Sequence, residues 1–331
     1  GAVRSVSDMW KEVPQYSAVT VITVSCLFVL RKWIAGGRCH SRVFLRGKTV
    51  VITGANTGIG KETALDMACR GARVVMACRD LTKAEKAAEE IRQSTGNRNV
   101  VVRHMDLASL YSVREFAKEF IATEDRVDIL INNAGVMMCP KNITEDGYET
   151  QLAVNHLGHF LLTNLLIGLL KKSSPSRVVN VSSMLHKGGK IHFDDLFFDK
   201  RQYNSLVSYR QSKLANVLFS RELARQMRGT GVSSYSLHPG VIRTELSRHV
   251  ESWLPILKFL LCIPSYLLMK TPWEGAQTSI YCAVTEGLEC KSGCYFSDCA
   301  ETEAAPEGRD DVVARRLWEE SARLVGLNVE E

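Results

Sequence analysis

The chain has 331 residues, a formal charge of +6 and ten cysteines. With 45% hydrophobic and 24% charged residues it can bury a core, which excludes wholesale disorder. Its cations are scattered among acids, which speaks against a nucleic-acid partner and leaves membrane surfaces and phosphorylated small molecules open. No two cysteines form a CxxC, and Cys290, Cys294 and Cys299 lack the paired spacing of a zinc site. Reduced thiols of a cytosol-facing domain are the reading.

Tyr16–Leu30 carries no charge. It is shorter than the roughly 20 residues of a spanning helix, and Val13–Gln15 and Trp33–Ala35 bring it near that length. Arg31, Lys32, Arg38, Arg42, Arg46 and Lys48 come after it, whereas only Arg4 and Lys11 precede. That asymmetry predicts a cytosolic location for the remainder of the chain. No small-residue cleavage site comes after the apolar run, so residues 1–44 are expected as an uncleaved membrane anchor with a basic flank rather than a signal peptide.

From Lys48 the pattern changes. Apolar runs at Thr49–Thr53, Arg73–Ala77, Val100–His104, Val127–Ile131, Arg177–Val181 and Val232–Leu237 predict strands. Helical-period segments at Leu81–Gln93, Val113–Ala122, Leu157–Leu170 and Leu214–Met227 lie between them. This alternation predicts an α/β fold, a Rossmann-type doubly wound parallel sheet in one domain over 45–300. Residues 245–272 break the pattern: they are apolar but interrupted by Pro255 and Pro264, and are expected as a substrate lid. Whether that lid dips into lipid stays open. Residues 301–331 are expected as a C-terminal tail, helical over Asp310–Leu327.

The first strand runs into Gly54-Ala55-Asn56-Thr57-Gly58-Ile59-Gly60. Glycines there let a backbone approach a pyrophosphate, and the helix beginning near Gly58 offers free N–H groups. The second strand ends Ala77-Cys78-Arg79-Asp80. A dinucleotide enzyme using NAD often carries an acid at that strand end; here Arg79 suits a 2′-phosphate and points to NADP. Lys61 is a candidate to assist, and Asp80 is expected to cap the next helix.

Tyr209 and Lys213 stand at i and i+4, one face of a helix. A nearby ammonium lowers a phenol's pKa, which makes Tyr209 a candidate acid/base. The Ser182-Ser183 pair ends an earlier strand and offers a hydroxyl to a substrate oxygen. His156 and His159 have no third ligand nearby, and no metal is expected.

Thr53–Gly60 (TGxxxGxG), Asn132–Gly135 (NNAG), Asn155, the serine pair, Tyr209–Lys213 (YxxxK) and Pro239-Gly240 succeed one another in the order of a known family. Over residues 45–300 the chain resembles the short-chain dehydrogenase/reductases. The resemblance implies a catalytic tetrad of Asn155, Ser183, Tyr209 and Lys213, with Ser183 also holding substrate. It implies that Lys213 holds the nicotinamide ribose and Asn155 a relay water. It further implies adenine-side contacts from Asp106, Asn133, Ala134 and Gly135, and a cover over the nicotinamide from Pro239 to Thr244. Gly54–Ala64, Asn132–Pro140, Val154–Leu162 and Tyr295–Cys299 most resemble the microsomal retinol dehydrogenase (retinal reductase) branch. Arg210 is a bulky departure inside YxxxK. The expectation is therefore a membrane-anchored NADP-dependent oxidoreductase of retinoids, most naturally reducing all-trans-retinal. The alternatives are a reductase of lipid aldehydes or sterol ketones and a non-catalytic dinucleotide-binding scaffold. The endoplasmic reticulum is favoured over a mitochondrial membrane, and a homo-oligomer is compatible with the sequence.

Overall fold

Alternation along single strands builds the centre of the molecule. The computed structural model describes residues 6–242 and 269–327, with side chains from residue 20 onward. Strands β1 (Thr49–Thr53), β2 (Arg73–Cys78), β3 (Val100–His104), β4 (Ile129–Asn132), β5 (Ser176–Val181) and β6 (Val232–His238) run parallel. Two strands of three residues complete the sheet, parallel β7 (Tyr295–Ser297) and antiparallel β8 (Ala300–Thr302), in the order β3-β2-β1-β4-β5-β6-β7-β8.

Successive strand residues feed opposite faces. Val50, Ile52, Val74, Met76, Ile129 and Ile131 join one core, which also takes residues from α2 (Gly58–Cys69), α3 (Leu81–Thr95) and α8 (Pro272–Val284). Val51, Val75, Leu130 and Val178 join the other. That second core takes residues from α4 (Leu110–Thr123), α6 (Gly158–Lys172), α7 (Ser205–Gln226) and α9 (Asp311–Leu324). Burial on both faces explains why these strands read as near-continuous apolar runs. The sheet is the expected doubly wound α/β arrangement in one domain.

The chain turns back between β3 and β4, so β1 and β4 are neighbours whose connections leave in opposite directions. A crevice at the carboxyl ends of strands is the usual ligand position at such a switch point.

The C-terminal segment belongs to this body. Trp318 of α9 lies 4.8 Å from the Phe160 ring and 5.7 Å from that of Phe219. Ser321 meets His156 Nε2 at 2.8 Å, and Arg114 donates to the Val325 carbonyl at 2.6 Å.

Ahead of the sheet lies α1 (Val6–Ala35), whose Val21, Ile22, Val24, Phe28 and Val29 are exposed. By length and composition the described helix that could cross a membrane is instead Thr150–Lys172, but 67% of its apolar window is buried inside the protein, as a core helix should be. It comprises α5 (Thr150–Leu152), a π-helical turn (Ala153–Leu157) and α6. The expected lid and Thr244 lie outside the described residues, except for 269–272.

Candidate active site

β1 ends on Thr53, whose buried hydroxyl organises the turn beyond it. Its Oγ1 accepts the N–H groups of Asn133 (3.0 Å) and Ala134 (2.9 Å), so its own proton goes to His159 Nε2 at 2.8 Å. His159 therefore carries its proton on Nδ1 and donates it to the Asn155 carbonyl at 3.1 Å. Burial holds the His159 pKa down at about 4, so the ring is neutral.

Gly54 and Gly58 adopt φ of +64° and +55°, and a Cβ on Gly54 would stand 2.9 Å from that of Ala134. A Cβ on Gly60 would stand 2.5 Å from Asn133 Nδ2. That amide is already committed, donating to the carbonyls of Thr53 (2.9 Å) and Gly54 (3.2 Å). Thr57 gives α2 no side-chain cap, which leaves the first N–H groups of α2 without that partner.

Gly54, Asn56, Thr57, Gly58, Ile59 and Gly60 line a cleft of 580 Å³ together with Arg79, Asp106, Asn133, Ala134 and Gly135. Ala55 is the exception: it is fully buried. Arg79 extends its guanidinium, 64% exposed, at 3.9 Å from Asp106. Asp80 caps α3 by accepting from the Lys83 N–H at 3.0 Å. Lys61 is turned away into an ion pair with Glu90. Lys83, which no sequence motif marks, lines the cleft beside Arg79.

Gly135 and Val136 also line the cleft, and the tetrad, whose four side chains do not line it, adjoins them through Asn155 and Lys213. Asn155 sits in the π-helical turn. Its Oδ1 accepts from the Val136 N–H at 2.8 Å and its Nδ2 donates to the Val136 carbonyl at 3.0 Å. A Cβ on Gly135 would lie 3.1 Å from Asn155 Oδ1 and 3.4 Å from Lys213 Nζ. Tyr209 and Lys213 share one face of α7, with Nζ 5.7 Å from the phenol centroid. Lys213 is 3% exposed and donates to the Val181 carbonyl at 3.2 Å.

The paired serines divide their labour. Ser182 is buried and donates to the Lys213 carbonyl at 2.6 Å, whereas Ser183 hydrogen-bonds Tyr209. Pro239 is buried at the end of β6 and does not line the cleft.

Burial dominates the ionisation here. It pushes the Tyr209 phenol up to about 12, against a smaller lowering by the Ser183 hydroxyl. It pulls Lys213 down to about 8. The expectation that Lys213 depresses the Tyr209 pKa thus meets the opposite direction in this arrangement: desolvation of a phenolate raises it, and what opposes that is the Ser183 hydroxyl.

His156 and His159 do not converge. The first meets Ser321 and the second Thr53, and among the described residues no three-ligand metal cluster forms. A larger hollow of 910 Å³ lies at the far end of α7 against Gly231, Glu289 and Cys294, remote from the tetrad.

The residues present fit a dinucleotide. A glycine-rich turn meets a helix start without a side-chain cap, the cations Arg79 and Lys83 line the same cleft, and the buried Lys213 borders Gly135.

The short chain dehydrogenase family profile matches residues 48–255. The chain is 56% identical over 304 residues to retinol dehydrogenase 12 of Bos taurus, covering 91% of this chain and 93% of that one. A solved structure of an uncharacterised protein from Mycobacterium paratuberculosis superposes with a TM-score of 0.71 at 34% identity, covering 89% of this chain and 100% of that one. A Beutenbergia cavernae protein assigned as an NAD(P)-dependent gluconate 5-dehydrogenase, solved with NADP at low occupancy, superposes at 0.62 with 25% identity, over 77% and 96%.

Proposed function

The chain belongs to the short-chain dehydrogenase family of oxidoreductases, and from that premise we propose that it interconverts retinol and retinal with NADP, chiefly as a reductase of all-trans-retinal. The observation that carries the chemistry is the meeting of Tyr209, Ser183, Lys213 and Asn155 beside Gly135 and Val136 of the cleft wall. Likeness to a retinol dehydrogenase supports the substrate class. Arg79 and Lys83 support NADP over NAD, since both can face a 2′-phosphate.

NADPH, when bound, supplies the hydride. The turn from Gly54 to Gly60 would hold its pyrophosphate, Asp106 its adenine side, and Lys213 its nicotinamide ribose. Ser183 would orient the carbonyl oxygen. Tyr209, a neutral phenol at physiological pH, is poised to deliver the proton that this oxygen needs once charge develops on it. A resting proton donor suits reduction better than oxidation. Asn155 fixes the Gly135–Val136 edge on which that geometry depends.

The exposed apolar face of α1, with Arg31 and Lys32 after it, supports a membrane-anchored protein with the domain in the cytosol. The endoplasmic reticulum is the proposed membrane.

Cofactor oxidation by the detergent-solubilised protein tests the reading, with all-trans-retinal and a saturated aldehyde, each with NADPH and NADH. Rapid NADPH oxidation with retinal is expected. Turnover of the plain aldehyde alone moves the substrate class, and inactivity with every pair defeats the enzyme reading. Tyr209→Phe should lower turnover about 100-fold or more while NADPH still binds.

A further inference from the structure

Between α1 and β1, residues 36–46 cross the outside of the domain as a strap without regular secondary structure. Its odd positions face inward. The Cys39 N–H donates to Gln277 Oε1 at 3.1 Å. Arg70 Nη1 donates to the carbonyls of Ser41 and Val43 at 3.0 Å each, and Leu45 is buried. Its even positions are exposed: Arg38, His40, Arg42, Phe44 and Arg46. Every outward side chain is therefore cationic, imidazole or aromatic.

The outward residues do little for the fold. No carboxylate occurs between Glu12 and Glu62. Arg38 lies over the Trp273 ring at 4.7 Å and Arg46 over Phe44 at 5.8 Å. Phe44 is 73% exposed, and Trp33 is 78% exposed beside Lys32. Exposed aromatic rings leave apolar area in water, which neighbouring guanidinium groups offset only in part. At a lipid headgroup layer the same set is favourable, with rings at the apolar boundary and cations on phosphates.

The strap is also fixed relative to α1. Arg31 binds Glu274, in the first turn of α8, through both carboxylate oxygens at 2.6 and 2.8 Å. Gly37 passes so close to the β7–β8 turn that a Cβ on it would lie 3.1 Å from that of Cys299. Lys270 pairs with Asp298 in the same turn, and Ile242 bridges Lys270, so the chain leaves and re-enters the described structure beside the strap.

We propose that the outward face of this strap, with Lys32, Trp33 and Trp273, is a docking surface for an anionic lipid leaflet that lays the catalytic domain down on the membrane. The proposal rests on α1 residing in the bilayer. A helix alone would leave the domain free to tilt; the strap sets its angle and brings the chain near Ile242 and Lys270 to the lipid.

The test uses the full chain reconstituted into phosphatidylcholine vesicles, with and without phosphatidylserine, carrying a trace of dansyl-phosphatidylethanolamine. Energy transfer from Trp273 is read as the difference between the wild type and Trp273→Phe. Transfer should rise several-fold with phosphatidylserine and fall back at high salt. The triple variant R38Q/R42Q/R46Q should lose that rise while still floating with vesicles and binding NADPH. Equal transfer in both lipids, or a rise that survives the triple variant, overturns the proposal. A wild type that floats with neither vesicle overturns the bilayer reading of α1 itself, and the docking surface with it.

Discussion

Tyr209 and Lys213 lie four residues apart on one helix, and burial moves their ionisation in opposite directions. Lys213 titrates near 8 in the folded protein against an ordinary 10.5. Between those values the unfolded chain binds more protons, so this lysine's contribution to stability rises with pH across that window, and below about 8 its full cost is present. Lys213→Met should therefore stabilise the fold at neutral pH by up to about 3 kcal/mol while eliminating turnover. Denaturant unfolding of both proteins at several pH values checks this: the gain should shrink as pH climbs from about 8 toward 10.5. A Lys213→Met protein less stable than wild type at pH 7 would show that Lys213 is paired rather than isolated. At the other end of the cleft, Arg79→Ala should weaken NADPH binding roughly tenfold and leave NADH almost unchanged, read by titration of cofactor fluorescence. Equal losses for both dinucleotides would remove Arg79 from the 2′-phosphate. The tetrad residues were legible because a motif names them. Thr53 and His159 were less so: their hydrogen bonds join residues 106 positions apart, and no local pattern marks such a link.

Elements differ in how plainly the sequence announces them. Five of the six longer strands are buried almost throughout, and continuous apolar runs are the direct result, whereas β3 at the sheet edge is half-buried and ends on the exposed His104. β7 and β8 have three residues each, too short for any period to develop. The start of α8 carries a full capping box, Thr271 with Glu274, and Pro272 in the first turn. That signal was present, but it abuts the apolar 245–272 segment and reads as its end. The π-helical turn at Asn155 leaves no trace in composition, because its five residues are too few for a changed period to show. The strap was hidden because its inward residues include Cys39 and Ser41, which do not look like a core. The glycine turn and α2 act as one element, and Gly60 is their tightest point. Gly60→Ala should cost about 1–3 kcal/mol of stability and weaken cofactor binding, because the new methyl meets the Asn133 amide and the Gly54 carbonyl. Calorimetry with and without NADPH measures both, and an unchanged midpoint would mean that the turn yields.

At the scale of the molecule, the sheet order arises from crossover units whose switch point lies between β1 and β4. The cofactor cleft and the tetrad both open from that place, so fold and site were legible together. α9 is the part whose importance the sequence understated. It reads as an appended amphipathic helix, yet Leu317 and Ala322 are buried and Trp318 covers Phe160 and Phe219. Removing residues 311–327 should abolish cooperative unfolding, monitored by near-ultraviolet circular dichroism, rather than trim a tail. A truncated protein with an intact transition would make α9 dispensable. The position of α9 also bears on how the protein is made. A ribosome delivers α1 first and the helix that closes the second core long afterwards. On the proposed topology, the nascent chain is already threaded into lipid while Phe160 and Phe219 still lack their cover. Each newborn molecule thus spends the interval between α1 and α9 half-finished and tethered, confined with its neighbours to two dimensions, where a chaperone able to shield that open face would have to work at the membrane itself.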